Sequence, residues 1–133
     1  MIVIKVIQEN NLNIDRRYES ESALFSHILN WQIVSPPSQW VPPTDLIETS
    51  ASYIVRLEFA GADDSDFNIH LEHDLLKIHG KRQESITATA YYQMEIPFGE
   101  FDLTIHLPGQ INLAAASATY QNGFLIISLP KNE

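Results

Sequence analysis

The amino-acid sequence predicts an all-β protein, a β-sandwich of two packed sheets carrying a short N-terminal arm that contains a helix. Three observations predict it. From Trp40 onward apolar residues recur at every second position, as in Tyr53, Val55, Leu57 and Phe59 set against Ile54, Arg56 and Glu58. Turn chemistry separates most of these runs, at Gly61, Gly99, Pro108-Gly109 and Asn122-Gly123. The runs are also short and numerous, which is the pattern of a sandwich.

Taken in order, Met1 to Ile7 is rich in β-branched residues and reads as a strand or an extended, adhesive segment. From Ser22 to about Ile33, Leu24, Phe25, Ile28, Leu29 and Gln32 fall at helical spacing, with Ser20 or Ser22 as N-cap. Trp31 and Ile33 widen the apolar face, and a helix this short must dock on something to persist. Ser35-Pro36-Pro37-Ser38 reads as a stiff linker, because a residue before proline avoids the α region. Residues 1–39 are therefore an arm and residues 40–133 the sandwich domain. Strands are expected at Asp45–Glu48, Tyr53–Phe59, Phe67–Glu72, Leu76–Gly80, Tyr91–Glu95, Phe101–His106, Leu113–Tyr120 and Phe124–Leu129, with His73-Asp74 turning the chain between the third and fourth.

With 133 residues, 44% apolar and 19% charged, the chain is long enough for one domain with a real core. Seventeen acidic side chains against eight basic give a net charge of −9. Five basic and thirteen acidic of these lie in residues 40–133, so the acidity belongs to the domain. Such a surface repels phosphate backbones and anionic lipid, which argues against nucleic acid or a membrane as partner. The chain has no cysteine, which removes disulfides, thiolate catalysis and cysteine zinc sites. Its opening apolar run contains Lys5 and is too short for a signal-peptide core, so a cytoplasmic location is expected.

Several motifs, in order and at consistent spacing, resemble the small heat-shock proteins, the α-crystallin family. They are Trp40-Val41-Pro42-Pro43-Thr44-Asp45-Leu46-Ile47-Glu48-Thr49, Glu58-Phe59-Ala60-Gly61 with Ala60 where the family has proline, and Leu76-Lys77-Ile78-His79-Gly80. Glu95-Ile96-Pro97-Phe98-Gly99-Glu100-Phe101, Leu107-Pro108 and Ala118-Thr119-Tyr120-Gln121-Asn122-Gly123-Phe124-Leu125 follow. The match covers about 90 residues and implies an immunoglobulin-like sandwich, the α-crystallin domain.

The resemblance implies an ATP-independent holdase chaperone, a dimer or small homo-oligomer that binds partly unfolded proteins and slows their aggregation. Clients are expected on the arm, chiefly at Leu24, Phe25, Ile28, Leu29 and Trp31. A sheet-edge groove walled by Ile69 and Leu71 on one side and Leu113, Ala115 and Ser117 on the other is the second expected surface. Tyr91, Tyr92 and Met94 are expected to form a strand that pairs with a partner subunit. The family's I-x-I/V tail does not follow Pro130, and Ile2-Val3-Ile4 has the same form at the other end, making it a candidate plug for the groove. Leu103 and Ile96 stand where the family carries arginines, so its dimer ion pairs do not carry over to these positions.

Other chemistry finds little support. His70, His73 and His79 invite a metal reading, but positions 70 and 73 of a strand face opposite ways, and solvated histidines are expected instead. Asp63-Asp64-Ser65-Asp66 lacks the glycine and distal glutamate of a calcium loop and is expected to start a turn. No nucleophile elbow or phosphate-binding glycine loop is present, so neither an enzyme nor a cofactor is expected. The alternative is an interaction or scaffold module like the CS-domain co-chaperones, without client protection.

Overall fold

The computed structural model describes residues 2–7, the backbone of 32–34, and residues 40–132. Nine strands lie among them: β1 (Ile4–Val6), β2 (Gln32–Val34), β3 (Thr44–Glu48), β4 (Ser52–Glu58), β5 (Phe67–Glu72), β6 (Leu75–Arg82), β7 (Gly99–His106), β8 (Ser117–Gln121) and β9 (Phe124–Pro130). One sheet runs β1-β5-β6-β7-β2 and the other β3-β4-β9-β8. The all-β sandwich predicted from the period-two pattern is the observed fold.

Alternation sends one side chain in two inward. Val55, Leu57 and Phe59 from β4 and its end, Ile69 and Leu71 from β5, and Leu125 and Ile127 from β9 are almost wholly removed from water. At about 25 cal/mol per Å² of apolar surface, this shared core is what holds the two sheets together. One end of it is aromatic. Phe59 stands at the centre, stacked on Trp40 at 5.4 Å and edge-on to Phe67 and Phe101 at 5.2 and 5.0 Å.

Turns fix the registers. Asn122 and Gly123 have φ of +56° and +82° and join Gln121 to Phe124, the paired ends of β8 and β9. A two-residue hairpin with both central φ positive matches the right-handed twist of its strands. His73, at φ +53°, occupies the two-residue turn between β5 and β6. Residues 63–66 form the expected turn, a short 3₁₀ segment closed by a capping box between Asp63 and Asp66.

Three expectations about elements are corrected. Leu113–Tyr120 is not one strand: Leu113–Ala115 is a 3₁₀ turn capped by Asn112, and β8 begins only at Ser117. No helix or strand covers residues 83–98, so Tyr91–Glu95 forms no strand within its own chain. The helix expected from Ser22 does not reach Ile33, because Gln32–Val34 is extended and pairs antiparallel with β7. Residues 22–31 lie outside those described.

Candidate functional site

Three parts of the surface stand out: the excursion between β6 and β7, the side where β5 faces β8, and the outer edge of β3. The first is the excursion between β6 and β7. Arg82, at the end of β6, holds its two ends together. Its guanidinium lies 4.6 Å over Trp40, 5.3 Å over Phe98 and 5.4 Å over Phe59. Arg82 Nε also donates to the Pro97 carbonyl at 3.0 Å, and Nη1 donates to the Ala60 carbonyl at 3.2 Å. Trp40 Nε1 donates to Gly99 O at 3.2 Å, tying the start of the domain to the far end of the same excursion.

Between those ties the chain carries Ile86, Tyr91, Tyr92, Met94 and Ile96, all between 51% and 103% exposed. Scattered exposed hydrophobes are ordinary, whereas here five fall within eleven residues. Polar contacts within the excursion stay local. Tyr91 Oη donates to Glu84 at 3.1 Å, and that bond, more than burial, raises the phenol above its ordinary range. Tyr91, Tyr92 and Met94 therefore sit exposed and without a strand partner of their own.

The second surface is the side where β5 faces β8, marked by the Phe67 and Tyr120 rings 5.1 Å apart. Tyr120 Oη ties β8 to the turn that follows β4, donating to the Phe59 carbonyl and accepting from Ala62 N at 3.3 Å. Ile69 and Leu71 point into the core, 1% and 0% exposed. Opposite them, Ala115 and Ser117 are exposed, while Leu113, Ala116, Ala118 and Tyr120 are half-buried and pack on the core. The wall expected at Leu113, Ala115 and Ser117 is thus out of phase after Leu113. The 3₁₀ turn breaks the strand's alternation, and a one-residue slip moves every following side chain to the other face. Counting back from the Asn122-Gly123 hairpin gives the correct phase, a signal the sequence held. On this side β1 pairs with β5 in parallel, Ile4 beside Ile69 and Val6 beside Leu71. Ile2 and Ile4 pack against the core.

The third surface is the outer edge of β3, which ends its sheet. Leu46 and Ile47 are half-buried along it. Tyr53 sits beneath on β4, where burial, helped by a hydrogen bond to Glu48, raises its phenol above the ordinary value.

Two histidines, His79 and His106, each contact one carboxylate. His79 Nδ1 lies 2.7 Å from Asp102 across the β6–β7 pair, and His106 Nε2 lies 2.8 Å from Asp74. Among the described residues, no group of three or more His, Cys, Asp or Glu side chains is placed to hold a metal ion. Among them, too, no helix is long and apolar enough to cross a membrane. Leu24, Phe25, Ile28, Leu29 and Trp31 lie outside the described residues.

The sheet order, the aromatic end and the edge beside β5 together define a β-sandwich of the α-crystallin type. Residues 45–133 match the model of the Hsp20/alpha crystallin family, and the chain belongs to that family, the small heat shock chaperones. It is 34% identical over 95 residues to Small heat shock protein C2 of Rickettsia felis, covering 70% of this chain and 62% of that protein. This chain thus spans less than two-thirds of that relative's length. To Heat shock protein 16 of Schizosaccharomyces pombe it is 30% identical over 118 residues, covering 86% of this chain and 80% of the relative. The solved structure of Heat shock protein 16.0 from Schizosaccharomyces pombe superposes with a TM-score of 0.66 at 28% identity, over 71% of this chain and 90% of the other.

Proposed function

We propose that this chain is a holdase that works without nucleotide in the cytoplasm, binding partly unfolded proteins as a homodimer or small homo-oligomer. The observation that carries the reading is the apolar excursion 86–96 on a chain of this family. A closed sandwich that leaves Ile86, Tyr92, Met94 and Ile96 in water is incomplete as a monomer. A second copy offers the complement, since the outer edge of β3 carries no further strand among the described residues and could take Tyr91–Glu95. Tyr91, Tyr92 and Met94 are the residues of that exchange.

Clients bind by hydrophobic capture. An unfolding chain exposes apolar surface, and contact removes it from water at about 25 cal/mol per Å². The arm residues Leu24, Phe25, Ile28, Leu29 and Trp31 are the main surface, and the side between β5 and β8 is the second. The acidic domain keeps the loaded complex soluble.

The test is light scattering from a heated model client, with this protein and no nucleotide, beside the protein's mass in solution. Suppressed scattering near stoichiometric ratios from a dimer or small oligomer is the expected result. Full client aggregation in the presence of the folded, dimeric protein overturns the holdase reading and leaves a scaffold or co-chaperone role.

A further inference from the structure

Every residue from 83 to 97 is exposed, so the excursion between β6 and β7 rests on the sandwich only at its root. The β6–β7 ladder ends at the pair Arg82 and Gly99, and among the described residues no further backbone bond ties residues 83–98 to the domain. The Arg82 side chain takes over where the ladder stops. Its Nε and Nη2 both donate to the Pro97 carbonyl, the first at 3.0 Å. The Phe98 ring lies 5.3 Å from the same guanidinium and is half-buried, unlike the residues before it.

The guanidinium is itself held from behind. Nη1 donates to the Ala60 carbonyl at 3.2 Å, in the turn after β4, and the Trp40 ring lies 4.6 Å away. A planar fork suits this task, because it hydrogen-bonds in its plane and stacks on its faces at once, which a lysine ammonium cannot do. The other polar contacts of the excursion, Tyr91 to Glu84 and Gln93 to Glu95, stay inside it. Tyr91–Glu95 thus ends two residues short of a point fixed to the sandwich.

We propose that Arg82 is the positioning residue for assembly. It fixes the return limb of the excursion at Pro97 and Phe98, so that Tyr91–Glu95 is offered to a second copy from one direction. Ordering a segment before it binds removes part of the entropy that binding would otherwise cost. Arg82 acts through the segment it anchors and not by touching the partner. The inference rests on the exchange of Tyr91–Glu95 between copies.

The experiment uses the full chain, unaltered and as Arg82→Ala, Arg82→Lys and Ile127→Val. Ile127 is a fully buried core residue on β9, so its truncation is the control for a loss of stability alone. Dimer dissociation is read by sedimentation. A second set of the same chains carries Thr89→Cys with a fluorescent label, a unique site because the chain has no cysteine. Label anisotropy is read on the dissociated chains. Arg82→Ala is expected to raise the dissociation constant at least about tenfold and to lower the anisotropy. Ile127→Val should lower Tm and move neither. Arg82→Lys keeps the charge without the fork and should remain at least about fivefold weaker than the unaltered protein. This milder change carries the same comparison should Arg82→Ala fail to fold.

An unmoved dissociation constant or anisotropy in the Arg82 variants, full recovery in Arg82→Lys, or an equal weakening by Ile127→Val each overturns the proposal. An unaltered chain that is monomeric at every concentration removes the exchange reading and the proposal with it. A dimeric unaltered chain whose Arg82 variants dimerise equally well removes the proposal alone.

Discussion

Gly80→Ala tests the packing on which the apolar excursion hangs. Gly80 pairs with Phe101 on one side and Phe67 on the other, in the middle of its sheet. A Cβ placed on it would lie 2.3 and 2.4 Å from Cε1 and Cζ of Phe101. Carbon atoms settle at about 3.5–4.0 Å, so the ring would have to retreat by more than about 1 Å. It has nowhere to go: Phe101 is 0% exposed, with Phe59 and Trp40 rings at 5.0 and 5.5 Å. Overpacking of this kind costs about 1–3 kcal/mol. Replacing a strand glycine returns about 0.5–1 kcal/mol of backbone entropy, and set against the upper end of the overpacking range, where so short a contact belongs, it leaves a net loss of about 2 kcal/mol. For a domain near 100 residues, that lowers Tm by roughly 5–15 °C. The assay is thermal unfolding of the single variant and of Gly80→Ala in a Phe101→Leu background. The smaller leucine side chain in that background should absorb most of the penalty, giving a clear coupling between the two sites. An unchanged Tm in the single variant, or additive losses in the pair, would refute the argument.

Arg82→Ala removes the guanidinium shared by Trp40, Phe98 and Phe59 along with its bonds to Pro97 and Ala60. It should cost about 1–2 kcal/mol and speed hydrogen exchange of the amides at Phe98 and Gly99, while β4 and β9 stay protected. Tyr92→Ser with Met94→Ser touches side chains that stand in water in the single chain, so monomer stability should hold within about 0.5 kcal/mol. Dimer dissociation should rise at least about tenfold by sedimentation, and an unaltered dimer would remove these residues from the interface. Tyr53 titrates above its unfolded value through burial and Glu48, so its contribution is full below about pH 10 and is lost as pH rises through the folded pKa. Tyr53→Phe should flatten the fall of Tm between about pH 10 and 12, and an identical fall in both proteins would show that Tyr53 does not drive it.

The legible part of the fold was the part whose partners are fixed by local pattern. In β4, β5, β6, β7 and β9 one face is core, so period-two alternation and the turns at Gly61, Gly99 and Asn122-Gly123 were enough to place them. The wall at β8 is out of phase with the sequence pattern because the Asn112-capped turn over Leu113–Ala115 is itself apolar and small, and looks like the start of the strand that follows. Gln32 and Ile33 read as the end of a helix because their apolar spacing suits either state. The extended form of Gln32–Val34 comes from pairing with His106, Ile105 and Thr104, partners far along the chain that no local pattern reveals. Arg82 is hidden for a similar reason: nothing in an arginine shortly after a glycine says that three aromatic rings from different parts of the chain converge on it.

What separates the two sheets is how their edges are finished. The β5–β6–β7 sheet is closed on both sides by strands from the N-terminal arm, β1 on β5 and β2 on β7. The other sheet ends in β3 and β8 with no further strand among the described residues. Edges left open invite pairing, and edges covered by short strands can be uncovered. The apolar excursion 86–96 is long enough, and exposed enough, to serve the open kind in another copy. β1, by contrast, holds its edge with three residues, helped by Ile2 and Ile4, which are half-buried against the core. On the proposed reading, assembly therefore falls to an edge that carries no further strand among the described residues, while the edge of β5 is covered by β1.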